Sequence, residues 1–171
     1  DPQSLRYLNI LCVRLVFCLY AEDAGVFGKH DMFHDYLAQF DSNFMRMALV
    51  QLFEVLNTPA DKRSKYLNPT LAAFPYTNGG LFAEEIDIPQ FTDELRETLL
   101  QHASLDFDWS EISPTIFGGV FESTLNPETR RSGGMHYTSI ENIHKVIDPL
   151  FYNDLLAAFE SCNEETNNKK R

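Results

Sequence analysis

Positive charge is scarce in this 171-residue chain: 14 Lys and Arg stand against 25 Asp and Glu, for a formal net charge of −11. A surface of that sign repels phosphate backbones and anionic membranes, which makes the chain a poor stand-alone nucleic-acid binder. Cysteine is scarce as well. Cys12, Cys18 and Cys162 are an odd number without metal-ligand spacing, and the first two lie in an apolar helical run. Buried, reduced thiols and a cytoplasmic setting are therefore expected. The longest apolar stretch, residues 7–20, is interrupted by Asn9 and Arg14 and is shorter than the ~20 residues needed to span a bilayer, so a buried helix and no membrane partner are expected. No charged, apolar and small-residue succession opens the chain as a secretory leader would. Asp1 at one end and Lys169-Lys170-Arg171 at the other give it the look of an excised piece of a longer protein.

Catalytic signatures are missing too. There is no phosphate-binding loop ending in Gly-Lys-Ser/Thr, no dinucleotide glycine fingerprint after a strand, and no Glu-x-Lys pair for a metal-dependent nuclease. Serine and cysteine nucleophile motifs are absent. His30 and His34 stand four apart, the spacing of a helical zinc pair, but Asp31 replaces the longer glutamate such a site uses as base and the segment sits at a helix start. Exposed or capping histidines are expected there, with no metal site. No catalytic residue is assigned.

What the chain does contain is enough apolar surface for a core: 44% of its residues are hydrophobic and 13% aromatic, which marks it as globular. Leu5, Leu8, Leu11, Leu15 and Leu19 recur at helical spacing, widened by Ile10, Val13 and Phe17, and predict a central helix ended by Gly25 and Gly28. A short helix over 31–40 and another over 43–57 follow. Phe44, Ala48, Leu52 and Val55 form one face of the latter, beside Met45, Leu49 and Leu56. Between residues 58 and 90, Pro59, Pro69, Pro75, Gly79, Gly80 and Pro89 break the pattern into an irregular connection. In it, Asn78-Gly79 between aromatics allows a small hairpin; the alternative is a packed surface loop. Thr92 caps the next helix, Ser113-Pro114 opens another, and a last one runs from Ser139 with a kink or break at Asp148-Pro149. From Ser161 onward the polar tail is expected to fray. The fold class is mainly α, a helical bundle with a long irregular central loop or small hairpin.

The segment Arg130-Arg131-Ser132-Gly133-Gly134-Met135-His136-Tyr137-Thr138-Ser139-Ile140-Glu141 is a basic, glycine-rich loop leading into a capping box, with Thr138 as cap and Glu141 three residues on. First-turn amides and the helix dipole favour an anionic group there. A plain glycine loop before a capped helix accounts for the same residues.

Residues 108–122, beginning Asp108-Trp109-Ser110-Glu111, together with the 130–141 segment, resemble the leading edge of the catalytic domain in N6-adenine DNA methyltransferases of the MmeI-like single-chain type II restriction–modification family. His136-Tyr137-Thr138-Ser139 is similar to that family's motif X, and residues 74–82 resemble a Pro-Tyr-x-Asn-Gly-Gly-Leu-Phe loop to which no chemistry is assigned. The resemblance implies residues 1–57 as a helical spacer bundle, 58–90 as the irregular connection, 91–129 as helices completing the spacer, and 130–171 as the motif X loop and leading helix of a truncated methyltransferase domain. It further implies that Gly134, Tyr137 and Thr138 border the S-adenosylmethionine pocket of the full-length protein, with flanking nuclease, methyltransferase and target-recognition domains as partners and DNA bound through the parent. The glycine-rich cofactor loop and an Asn-Pro-Pro-aromatic tetrapeptide would lie beyond residue 171; Asn126-Pro127 is followed by Glu128-Thr129 and reads as a turn. A non-catalytic piece that does not bind the cofactor tightly is thus expected. An independent helical protein-interaction module using residues 76–82 is the alternative.

Overall fold

The computed structural model describes residues 1–77, 80–113, 116 and 140–168, the last five of these by backbone alone. The chain divides into two compact units, Asp1–Ser113 and Pro114–Arg171. Among the described residues every regular element is helical.

In the first unit, α1 (Pro2–Asp23) starts under the Asp1 side chain, which accepts the Gln3 amide at 3.1 Å. Its end is a Schellman motif: the Val26 amide donates to the Ala21 carbonyl at 2.8 Å and the Gly25 amide to the Glu22 carbonyl at 3.1 Å, with Gly25 at φ +72°. Only glycine takes that backbone without strain, so the expected stop is where the sequence puts it. At 22 residues, α1 is long and apolar enough to cross a membrane by length and composition. It nonetheless buries Arg14 and Glu22 together with Leu11, Cys18 and Leu19, and both charged side chains hold protein groups. The N-terminal leucines differ from expectation. Leu5 and Leu8 are exposed, at 61% and 45%.

A turn with Asp31 at φ +57° leads to α2 (Met32–Ala38), so His30 lies outside the helix and the two histidines do not share a helical face. Next, α3 (Ser42–Asn57) is capped by Asp41 and buries Met45, Ala48, Leu49, Leu52, Val55 and Leu56. Phe44, assigned by pattern to that stripe, is 51% exposed. It falls at the edge of the buried arc, one residue before Met45 and so about 100° around the helix. The short α4 (Pro69–Ala72) follows. Thr92 caps α5 (Asp93–Glu97) by accepting the Leu95 amide at 3.1 Å, as the sequence predicts. The helix continues to Leu105 in π-helical form, closed by the Asp106 amide on the Gln101 carbonyl at 2.9 Å.

The core of this unit joins α1, α2, α3 and the start of the π-helical segment, Leu99 and Leu100, to Phe74, Phe82, Ile88 and Phe91 from the irregular region. The hairpin tip Asn78-Gly79 lies outside the described residues, and no strand occurs among those described.

In the second unit, α6 (Ile140–Ile147) and α7 (Asn153–Asn168) are joined by a π-helical turn, Asp148–Tyr152. Pro149 has no amide to give its turn, and the wider spacing absorbs it: the Asn153 amide reaches back to the Asp148 carbonyl. The kink is thus a π turn rather than a break. Helix also persists to Asn168 where fraying was expected, in a stretch with no Gly or Pro after Pro149. The helix expected from Ser113-Pro114, with its Gly118-Gly119 pair, lies outside the described residues apart from Ile116.

Candidate functional site

Two charged residues of α1 organise the first unit. Arg14 and Glu22 fall on the stripe that also carries Leu11 and Cys18, at helical spacings of three, four and four, so both point into the core. Arg14 is 2% exposed. Its Nε donates to the Leu81 carbonyl at 2.8 Å and its Nη2 to the Glu84 carbonyl at 2.6 Å. The guanidinium lies over the rings of Phe53 and Phe82, at 5.2 and 5.6 Å from their centroids. Burial lowers its pKa and the nearby Glu84 opposes that, but a guanidinium remains charged at any pH a protein meets.

Glu22 holds the other side. Its Oε2 accepts the Phe33 and His34 amides at 2.6 and 2.9 Å, and its Oε1 accepts the Ser104 hydroxyl at 3.3 Å. These satisfy first-turn donors of α2, whose Asp31 provides no side-chain cap. Burial raises the Glu22 pKa, and the amides of His34 and Phe33 and the Ser104 hydroxyl act against it. One residue later, Asp23 accepts the Trp109 amide at 2.7 Å, while the Trp109 indole donates to the Ala103 carbonyl at 2.7 Å. The first unit's last described turn, Trp109–Glu111, is in this way tied to the end of α1 and to the π-helical segment.

The irregular region is held by arginines in place of a β-ladder. Arg63 donates to the carbonyls of Thr58, Val55, Ala72 and Phe74, gathering the end of α3 and of α4. Arg6 pairs with the Glu84 carboxylate and Arg46 with Asp87 at 2.6 Å. Arg96 donates to the Phe40 and Ala38 carbonyls, closing the end of α2. Residues 74–82 serve this packing: Phe74 meets Phe27 and Tyr36 edge-on at 5.2 and 5.9 Å, and Phe82 meets Phe17 at 5.6 Å. Among the described residues of this loop Phe82 is buried, Leu81 half-buried and Tyr76 exposed.

The residues assigned by sequence to a cofactor edge, Gly134, Tyr137 and Thr138, lie outside the described residues. Of the capping box, Glu141 is described, in the first turn of α6, and it pairs with Lys145 at 3.0 Å. His30 and His34 lie beside Asp31 and Asp35, and no group of three or more potential metal ligands occurs among the described residues. Of the two α1 thiols, Cys18 is buried as expected while Cys12 is exposed, because residue 12 falls off the stripe. Arg14 was legible only as an interruption of an apolar run. The available signal was its spacing, which sets it and Glu22 in line with buried Leu11 and Cys18.

Against known proteins, the family described as the MmeI helicase spacer domain matches residues 6–82, the span that contains Arg14 and the whole Arg63 bracket. DNA methyltransferase A of Bacillus subtilis (strain 168) is 35% identical over 160 residues, 92% of this chain and 18% of that protein. The type IIL restriction-modification enzyme MmeI, solved in complex with DNA, aligns with a TM-score of 0.59 and 45% identity over 95% of this chain and 22% of its own. The chain thus spans about a fifth of the length of either relative. Residues 6–82, a helical stretch whose irregular part is bracketed by Arg14 and Arg63, form an MmeI-like helical spacer region, matched by sequence and by structure alike.

Proposed function

We propose that this chain works inside a longer restriction–modification protein as the spacer that joins a nuclease domain to an S-adenosylmethionine-dependent adenine methyltransferase domain. It does no chemistry of its own. The observation that carries this reading is the extent of the likeness: the relatives align over 92% and 95% of the chain, well past residue 82 where the spacer family ends. Residues beyond the spacer therefore accompany it in a methyltransferase and in a restriction-modification enzyme alike.

Within that reading, the 130–171 segment is the motif X edge of the methyltransferase domain. Gly134 lets the cofactor approach the backbone, Thr138 and the first-turn amides take its carboxylate, and Tyr137 packs beside it. S-adenosylmethionine supplies the transferable methyl group. The spacer's contribution is a fixed exit: Asp23 and Ala103 hold Trp109 near the end of the first unit. A cytoplasmic enzyme acting on DNA is the setting this implies, with nuclease, methyltransferase and target-recognition domains as neighbours in one chain.

Thr138→Ala in the full-length protein is expected to weaken S-adenosylmethionine binding in isothermal titration while the thermal unfolding midpoint stays put. Unchanged affinity would remove the cofactor-edge assignment. Methyl transfer from labelled cofactor to DNA by the 171-residue chain alone would overturn the non-catalytic reading.

A further inference from the structure

Most of the positive charge in the first unit is already engaged. Arg14, Arg63 and Arg96 face main-chain carbonyls, and Arg6 and Arg46 face carboxylates. The turn after α3 is different. It reads Asp61-Lys62-Arg63-Ser64-Lys65-Tyr66, three cations in four residues of a chain whose net charge is −11. Lys62, Lys65 and Tyr66 are exposed, Tyr66 to 98% of its surface. No hydrogen bond or ion pair of the Lys62 or Lys65 ammonium is found among the described residues.

Surface lysines alone are ordinary, but this turn is held from beneath. Arg63 points inward and fastens it through four carbonyls, and the Ser64 hydroxyl accepts the Tyr66 amide at 3.2 Å. The outward side chains are therefore carried on a fixed backbone, which lowers the ordering cost of any contact they make. A cleft of about 400 Å³ opens beside them, lined by Lys62, Ser64, Tyr66 and Asn68 and, from α3, by Gln51 and Glu54. An exposed tyrosine hydroxyl within a few residues of two exposed lysines suits a repeating anion at a surface.

We propose that Lys62, Lys65 and Tyr66 form a sequence-independent contact for the phosphodiester backbone of duplex DNA. The lysines act as point charges and the phenol as a hydrogen-bond donor to a phosphate oxygen. This deepens, and rests on, the reading of the longer protein as an enzyme that acts on DNA.

The test is the salt dependence of duplex binding by the full-length gene product, followed by fluorescence anisotropy between about 50 and 200 mM salt. Each neutralised phosphate contributes about 0.9 to the slope of log affinity against log salt. The Lys62→Glu/Lys65→Glu double variant is therefore expected to lower that slope by about 2 and to weaken unrelated duplexes equally. Lys29→Glu, an exposed cation elsewhere, is expected to change neither. An unaltered slope in the double variant, in an enzyme that still methylates DNA, would overturn the contact and leave the proposed function standing; a wild-type protein that methylates no duplex would remove the function itself. Loss of polyglutamate binding with duplex binding intact would also overturn it, marking an acidic protein as the partner.

Discussion

The Arg14 guanidinium donates its Nε to the Leu81 carbonyl across 67 positions of sequence, at 2.8 Å, and by doing so fixes the aromatic loop to the longest helix of the unit. Its Nη2 takes the Glu84 carbonyl, so one planar fork holds both ends of a short turn. Hydrogen bonds to a charged group are each worth about 1.5–3 kcal/mol net, and two on one side chain do not simply add. Arg14→Met, which keeps the stem and removes the fork, is expected to cost about 2–4 kcal/mol in urea unfolding. Arg14→Lys retains charge but reaches one carbonyl at a time, and an intermediate loss is expected. Equal stability of wild type and Arg14→Met would show that the bracket is incidental.

How far this was readable beforehand depends on the kind of signal. Caps and stops are local, and they stand where the sequence puts them: Thr92 accepts the Leu95 amide and Gly25 takes the left-handed turn. Helical periodicity found the core face of α3 but misplaced Phe44, since an apolar residue at the edge of an arc satisfies the pattern whether or not a neighbour covers it. Long-range brackets were hidden. Nothing local to Arg63 says that it collects carbonyls from positions 55, 58, 72 and 74, because those oxygens are backbone and leave no trace in residue identity. The assignment of Gly134, Tyr137 and Thr138 to a cofactor edge rests on family likeness alone, since a glycine loop before a capped helix has an equally good structural explanation.

Glu22 carries a prediction about pH. Its folded-state pKa is raised above the ordinary value near 4.5, chiefly by burial. A raised carboxyl pKa means that the folded state holds the proton more tightly than the unfolded chain, so this group's stabilisation is fully present below its unfolded pKa and is lost as pH rises through the folded value. Glu22→Gln abolishes that titration while keeping the geometry: the amide oxygen accepts the Phe33 and His34 amides and the amide nitrogen donates to Ser104. The stability of Glu22→Gln relative to wild type is expected to rise as pH climbs from about 4 toward 7. Denaturant unfolding across that range measures it, and parallel profiles would refute it. Glu22→Ala leaves the donors without their acceptor and is expected to cost about 1–3 kcal/mol at all these pH values.

The two α1 thiols are expected to behave oppositely. Cys12 is exposed, whereas Cys18 is fully buried and its pKa is raised by burial, with the nearby Glu22 adding to the effect. The thiolate is the reactive form, so access and ionisation act together against Cys18. Alkylation of the native protein with iodoacetamide, read by peptide mass, is expected to label Cys12 within the time that leaves Cys18 untouched, and to label both in urea. Comparable native labelling of Cys18 would mean that this end of α1 opens readily.

Trp109 offers a test of the exit anchor that separates its two bonds. Trp109→Phe removes the indole donor to the Ala103 carbonyl and leaves the backbone bond to Asp23, whereas Asp23→Ala does the reverse. Loss of the neutral indole bond is expected to cost about 1 kcal/mol and loss of the carboxylate bond about 1.5–3 kcal/mol. In Asp23→Ala the Trp109 amide should exchange with deuterium severalfold faster, because its protection comes from that carboxylate. Core amides such as that of Leu52 should be unaffected if the loosening is local. In the full-length protein the spacer reading adds a second expectation: both variants lower the rate of DNA methylation while S-adenosylmethionine affinity stays at the wild-type level. Methylation at the wild-type rate despite faster exchange at Trp109 would mean that the end of the first unit need not be fixed for the downstream domain to work.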